Sequence, residues 1–208
     1  MTADAETILG EIRAAMPDAD VCLLNNPGPA AQHSLLVGND DLLRIATFLR
    51  ETLAFDLLSN ITGVDWPDGD ASGGDHRSPH ETGFLETVYH LYSTTKRIGP
   101  LILRARTADR GENVSIPSLV SIYRSAEFQE REIFDLYGIH FTNHPDLRRI
   151  LMWDEFVDHP MRKDYLPPDD YEYEPTPHDK VMEKARAHYP AGETQDFKTQ
   201  DAREEPTG

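Results

Sequence analysis

The chain contains a single cysteine, Cys22, in 208 residues. One thiol excludes an internal disulfide, a four-cysteine zinc site and any iron–sulfur cluster held by this chain's cysteines alone. Cys22 lies in the apolar run VCLL, where a thiol behaves as a small buried hydrophobe rather than a nucleophile. Positive charge is scarce too: 20 Lys and Arg face 37 Asp and Glu, a formal net charge of −17. That balance argues against nucleic-acid binding, which needs a basic surface to release counterions, and against adsorption to an anionic lipid surface. No apolar run approaches the ~20 residues needed to cross a bilayer, so direct membrane insertion is not expected. The N-terminal MTADAETILGEIRAAM places acids before any base and has no apolar stretch of the signal-peptide kind. A soluble protein facing the cytoplasm is the expectation. G-x-G-x-x-G, G-x-x-x-x-G-K-[ST] and G-x-S-x-G are all absent, which removes the familiar nucleotide cradles and the nucleophile elbow.

Periodicity is present where motifs are not. Ile8, Leu9, Ile12 and Met16 recur at helical spacing, with Asp4 as N-cap and Pro17 beyond the end. VCLLNN and HSLLVG read as short strands joined by a Pro/Gly turn at 26–29. Leu42, Ile45, Leu49 and Leu53 form a second helical stripe opened by Asn39 or Asp40, and FDLLSNITGVDW reads as a third strand. FLETVYHLYS and PLILRARTA read as two further antiparallel strands about a turn near 96–99. Between strands three and four, residues 66–82 are polar and Gly-rich, a flexible loop insertion that costs little entropy to close. The order α-β-β-α-β-β-β predicts an α+β two-layer sandwich, a mixed sheet with helices on one face. A further helix from Ser125 to Tyr137 follows, closed by Gly138 in the left-handed conformation. The division expected is a core domain over 1–141 and an extended partner-binding tail over 142–208, whose last residues have too little apolar content to fold alone.

The densest stretch is EREIFDLYGIHFTNHPDLRRI, Glu130 to Ile150. Four residues on from Ala126, Glu130 falls in line with the apolar face of its helix, and a desolvated carboxylate needs a partner. Arg148 and Arg149, brought back by the turn at NHPD, are the expected partners in a structural ion-pair cluster. A catalytic reading would pair Glu130, Glu132 or Asp135 with His140 or His144, but no nucleophile or oxyanion hole accompanies them. A metal reading would gather His144, Asp146, His159, Asp164, His178 and Asp179, whose spacings match no helical ligand pair. The third reading is interaction. HPDLRRILM and DHPMRKDYLP alternate apolar anchors, Leu147, Ile150, Met152 and Tyr165, with arginines, the mixture enriched at protein interfaces.

EREIFDLYGIHFTNHPDLRRILM followed by HPMRKDYLP resembles the signature of the C-type subunit of proton-translocating NADH-quinone oxidoreductase, the 30 kDa subunit of respiratory complex I. The likeness extends through GVDWPD, TVYHLYS and IPSLVSIY, covering most of residues 60–189. Two features depart from the pattern: the loop at 67–82 is long, and Arg124-Ser125 stand where a Pro-Gly-like break between helices is expected.

The resemblance implies a cofactor-free subunit of the peripheral arm, with FMN and iron–sulfur clusters in partner subunits and no active site in this chain. It implies the D-, B- and I-type subunits of complex I as partners, the C-terminal segment wrapping over the D-type one, and a peripheral location on the cytoplasmic side of the cell inner membrane. The structural and interface positions it implies are Glu130, Arg131, Glu132, Asp135, Tyr137 and Gly138 on the helix and its end. In the following segment they are His144, Pro145, Leu147, Arg148, Arg149, Ile150, His159, Pro160, Arg162, Lys163, Asp164 and Tyr165. Arg148, Arg149, Arg162 and Lys163 are the residues expected to reach a partner. Alternatives remain open: the equivalent subunit of a complex I-related membrane hydrogenase or other donor:quinone oxidoreductase, a free-standing His/carboxylate hydrolase, and a solitary interaction domain.

Overall fold

A computed structural model describes residues 4–26, 28, 32–69 and 82–166. Helix α1 (Ala5–Ala15) starts where the Asp4 carboxylate accepts from the amides of Glu6 and Thr7, satisfying two of the donors that a helix start leaves unpaired. Its buried Ala5, Ile8, Leu9 and Ile12 lie one helical turn apart. Strands β1 (Val21–Leu24) and β2 (Ser34–Val37) pair antiparallel. Helix α2 (Asn39–Glu51) buries Leu42, Ile45, Ala46 and Leu49, the predicted stripe. Its N-cap is Gly38 rather than Asn39 or Asp40. A Cβ at Gly38 would strike the Asp20 side chain, and the amide of Asp20 is held by the Asp41 carboxylate, 2.7 Å away.

Strands β3 (Leu57–Trp66), β4 (Phe84–Ser93) and β5 (Ile98–Arg106) form the antiparallel centre of the sheet. The strand order is β1-β2-β5-β4-β3, with β2 and β5 parallel, so the sheet is mixed as expected. Residues 70–81, the heart of the predicted loop insertion with its His76 and His80, lie outside the described residues, as does everything beyond 166. Leu35, Leu103, Leu85, Tyr89 and Leu91 point from the sheet into one cluster with Ile12, Leu42, Ile45 and Leu49 from the helices. Each such side chain, fully withdrawn from water, contributes about 1.5–3 kcal/mol.

After β5 the chain forms β6 (Ser115–Pro117), a turn over 118–125, helix α3 (Ala126–Tyr137) and β7 (His140–Thr142). The β6–β7 pair is a separate two-stranded parallel sheet. Periodicity could not announce it, since each strand is three residues long. Helix α3 lies along the free edge of β3. Gln129 accepts the amide of Ile61 at 2.6 Å, Ser125 donates to the carbonyl of Leu58 at 2.8 Å, and the Tyr137 ring covers Gly63, where an added Cβ would meet it at 2.6 Å. An exposed strand edge is thereby blunted by side chains. Ser125 stands at the N-cap position, but its hydroxyl serves this edge and makes no cap hydrogen bond. The compact unit that contains the sheet runs to Tyr165, so residues 142–165 belong to it.

Candidate protein interface

Two carboxylates on α3, Glu130 and Asp135, are fully buried. Glu130 faces the sheet core and accepts from the Ser118 hydroxyl at 2.6 Å and the Leu119 amide at 2.7 Å. The expected pairing with Arg148 or Arg149 is corrected by this geometry: one stepping of the helix turns Glu130 towards the 118–119 turn, and two neutral donors hold it there. Burial dominates its chemistry and pushes its pKa up to about 7, against the two hydrogen bonds that pull it down.

Asp135 faces the other way, into residues 149–152. Its Oδ2 accepts three consecutive amides, Ile150, Leu151 and Met152, at 2.7–3.0 Å, while Oδ1 takes the Arg149 guanidinium at 2.6 Å. Burial works to raise its pKa, but these donors outweigh it and leave the carboxyl below its ordinary value. The end of α3 is closed by the same segment. Gly138, at φ 79°, donates back to Phe134. The three carbonyls that remain are also satisfied: Asp135 by His159 Nδ1, Leu136 by the Met161 amide, and Tyr137 by Arg162 Nε. All four orphan acceptors of the last turn therefore find donors, and the Arg162 cation sits where the helix dipole favours it. The His159 ring packs against Gly138, leaving no room for a Cβ.

Further anchors hold the segment at both ends. Arg131, nearly buried, donates to the carbonyls of Arg148 and Arg149. His144 accepts the Asp146 amide at Nδ1, so its Nε2 carries the hydrogen donated to the Glu127 carbonyl. Leu147 packs on the core. At the far end Asp65, on β3, forms a bidentate pair with Arg110 at 2.6 and 2.7 Å and accepts the Lys163 amide. Arg110 also takes Asp164 at 2.9 Å, Arg162 reaches the carbonyls of Arg110 and Gly111, and the Lys163 ammonium lies 5.5 Å from the Trp66 ring centre. Phe156 fills the interior of the segment between Trp153 and Tyr165, with Arg149 over its face.

With Asp135, Arg149 and Arg162 turned inward, several large apolar side chains are left on the outer surface among exposed charged ones. Leu151 is 60% exposed, Trp153 52%, Val157 86% and Met161 52%, with Ile150 at 39% beside them. Of the predicted positions, Glu132, Pro145, Arg148, Ile150, Lys163 and Asp164 are exposed, and Pro160 and Tyr165 are half-buried. Among the described residues the Arg148 side chain meets only the exposed Asp146, at 3.0 Å. Among the described residues no group of three or more His, Cys, Asp or Glu is placed to hold a metal ion; His178 and Asp179 lie outside them. Glu130, Asp135 and both nitrogens of His144 are committed to structural hydrogen bonds. No helix among the described residues is long and apolar enough to cross a membrane.

Residues 35–172 match the family described as the respiratory-chain NADH dehydrogenase 30 kDa subunit. The chain belongs to that family. The C-type subunit of the NADH-quinone oxidoreductase of Roseiflexus sp. (strain RS-1) is 37% identical over 79% of this chain and 85% of its own. The fused C/D subunit of Bacteroides fragilis is 42% identical over 68% of this chain, which spans only 24% of that longer protein. A chain of the membrane-bound sulfane sulfur reductase, an archaeal respiratory membrane complex, matches over 95% of this chain with a TM-score of 0.56 at 21% identity, a likeness of fold.

Several residues that build this site stood outside the sequence reading. Asp65 lies in a strand with no sign that its carboxylate anchors a segment 98 positions away. Arg110 is equally unmarked, and Ser118, expected only to cap a helical turn, donates its hydroxyl to Glu130. The outward Leu151, Trp153, Val157 and Met161 did leave a signal, large apolar residues in a stretch without periodicity.

Proposed function

We propose that this subunit is a cofactor-free structural element of the peripheral arm of a proton-translocating NADH-quinone oxidoreductase, with residues 142–165 as its partner-facing surface. In this reading FMN and the iron–sulfur clusters belong to partner subunits, electrons pass through those subunits from NADH to quinone, and this chain contributes no reacting group. It sits peripherally on the cytoplasmic side of the membrane, against the D-type subunit and, more widely, the B- and I-type subunits. One observation carries the reading: Arg131, Asp135, Arg149 and Arg162 of the signature are used up inside the chain, while Leu151, Trp153, Val157 and Met161 are left facing water. An exposed apolar surface of this kind marks a protein interface. The fused C/D chains among the relatives support the D-type subunit as the neighbour.

The test is affinity purification of the tagged chain from its native membranes, with mass spectrometry of what accompanies it. The expected result is a quinone-site subunit and ferredoxin-like iron–sulfur subunits with the wild-type chain, flavoprotein subunits identifying NADH as donor. A Leu151→Asp/Val157→Asp variant should come out alone although folded. A wild-type chain that emerges alone and soluble sinks the proposal.

A further inference from the structure

In a chain this acidic, most described arginines are held by oxygen. Arg44 meets Asp18 and Asp41, Arg104 and Arg106 meet Glu86, Arg110 meets Asp65, and Arg149 meets Asp135. Arg97, in the turn between β4 and β5, and the pair Arg50 and Arg124 differ: none of these side chains has a hydrogen bond or ion pair among the described residues, although Arg50 of the pair lies 5.7 Å from the centre of the Tyr123 ring. Both members of the pair line one open cleft of about 490 Å³ between the end of α2 and the turn that leads into α3. Val120, Ile122 and Pro145 supply its apolar lining, and Ser121 lines it too.

We infer that this cleft receives an acidic side chain of a partner polypeptide, held between the guanidinium groups of Arg50 and Arg124. The inference rests on the scaffold reading above for the partner being another subunit. A guanidinium offers a planar fork of donors that matches a carboxylate bidentately, and apolar lining strengthens the attraction by lowering the local dielectric. Glu127 decides the class of anion. It lines the same cleft, so two cations and one anion leave a single net positive charge there. One carboxylate balances that charge, whereas a phosphate dianion would leave the cleft with a net negative charge and meet twice the repulsion from Glu127. Position also favours a partner subunit. Pro145 lies on the segment proposed above as partner-facing, and His144 fixes it by donating to the Glu127 carbonyl.

The test uses the tagged full chain carrying Arg50→Lys and Arg124→Lys, recovered with its complex. A water-soluble carbodiimide then joins each introduced amine to any carboxylate in direct contact. The expected product links position 50 or 124 to an Asp or Glu of another polypeptide. The same partner should fall at least tenfold in recovery with an R50E/R124E chain, whose substitutions are at exposed positions and leave the fold intact. An intact complex whose only products join position 50 or 124 to Glu127, or that yields no product, overturns the inference and leaves the scaffold reading standing. Inorganic phosphate binding that R124E abolishes, without a cross-link to another polypeptide, overturns it as well, since the cleft would then be a small-anion site. A wild-type chain that brings down no partner overturns both.

Discussion

In the sheet core, Leu35, Leu103 and Tyr89 are withdrawn from water. In residues 142–165 the inside is largely polar: carbonyls, the Asp135 carboxylate and guanidinium groups meet there, while Leu151, Trp153, Val157 and Met161 face out among exposed charges. Helix α3 is the wall between the two regions, and its two buried carboxylates show what each demands. Glu130 looks into the core, meets only neutral donors among the described residues, and is pushed up to about 7 by burial. Asp135 looks into the segment, meets a cation and three amides, and is held below its ordinary value. The core is stabilised by removing apolar area from water. The segment has few apolar residues to bury, so saturating the end of a helix holds it in place instead. A surface built in that way can expose its apolar side chains before any partner arrives.

The comparison can be broken most severely from the core side. Leu103→Ala removes a fully buried side chain and should destabilise the whole domain by about 2–5 kcal/mol, the range for such cavities. Urea unfolding followed by far-UV circular dichroism would give that loss in one transition. A change below about 1 kcal/mol would mean that this cluster is not the stabilising core.

Asp135→Asn attacks the other side. An amide in place of the carboxylate leaves one oxygen for two sets of donors, so its NH2 group must face either the Arg149 guanidinium or the amides of residues 150–152, and breaking a buried pair costs about 3–5 kcal/mol. The cost should fall on the segment and not on the sheet. Hydrogen exchange at Ile150, Leu151 and Met152 should accelerate by about 100-fold or more, with β4 and β5 unchanged. Uniform acceleration throughout the domain would show that segment and core unfold together, and the contrast between them would be lost.

The pH dependence sharpens the contrast, because the two carboxylates have opposite signs. Glu130 is raised from 4.5 to about 7 in the folded chain, so its favourable contribution is complete below about 4.5 and is lost as pH rises through 7. In that window stability should fall by up to about 1.4 kcal/mol per pH unit from this group, and Glu130→Gln should flatten the profile. Asp135 is lowered from 3.8, so its contribution is present above that value and lost as acid takes the pH through the folded pKa. Acid should therefore loosen residues 149–152 before it loosens β4 or β5. A Glu130→Gln profile parallel to wild type between pH 5 and 7 would remove the assigned role.

Most of the sheet domain was legible in the sequence, because a helix or strand with one wet face writes its burial as a period of 3.6 or 2. The stripe Leu42, Ile45, Leu49 and the strand at 57–66 are examples. The strands β6 and β7 were not, being too short to show a period, and Gly38 as cap was hidden behind the better cap formers Asn39 and Asp40. In residues 142–165 the chemistry of the side chains was legible but not the direction in which they turn. Arginines in a polar segment suggest outward reach, yet here Arg149 and Arg162 turn in, because the carbonyls and carboxylate at the end of α3 are unpaired without them. A sequence carries no local mark of such an acceptor: Asp65 and Lys163 meet across 98 positions.

The smallest effect on stability is expected where the effect on assembly is largest. Trp153 is half exposed and touches the rest of the segment chiefly through Phe156, at 4.9 Å between ring centres. Trp153→Ala should change the unfolding free energy by no more than about 0.5 kcal/mol, as is usual for surface positions. Truncation of an aromatic anchor in an interface, by contrast, costs about 2 kcal/mol or more of binding, roughly a thirtyfold loss in affinity. Thermal melting of the isolated subunit and recovery of the tagged complex would separate the two. A variant that melts much lower yet assembles normally would make Trp153 a structural residue, and the outward apolar surface would then end at Leu151, Val157 and Met161.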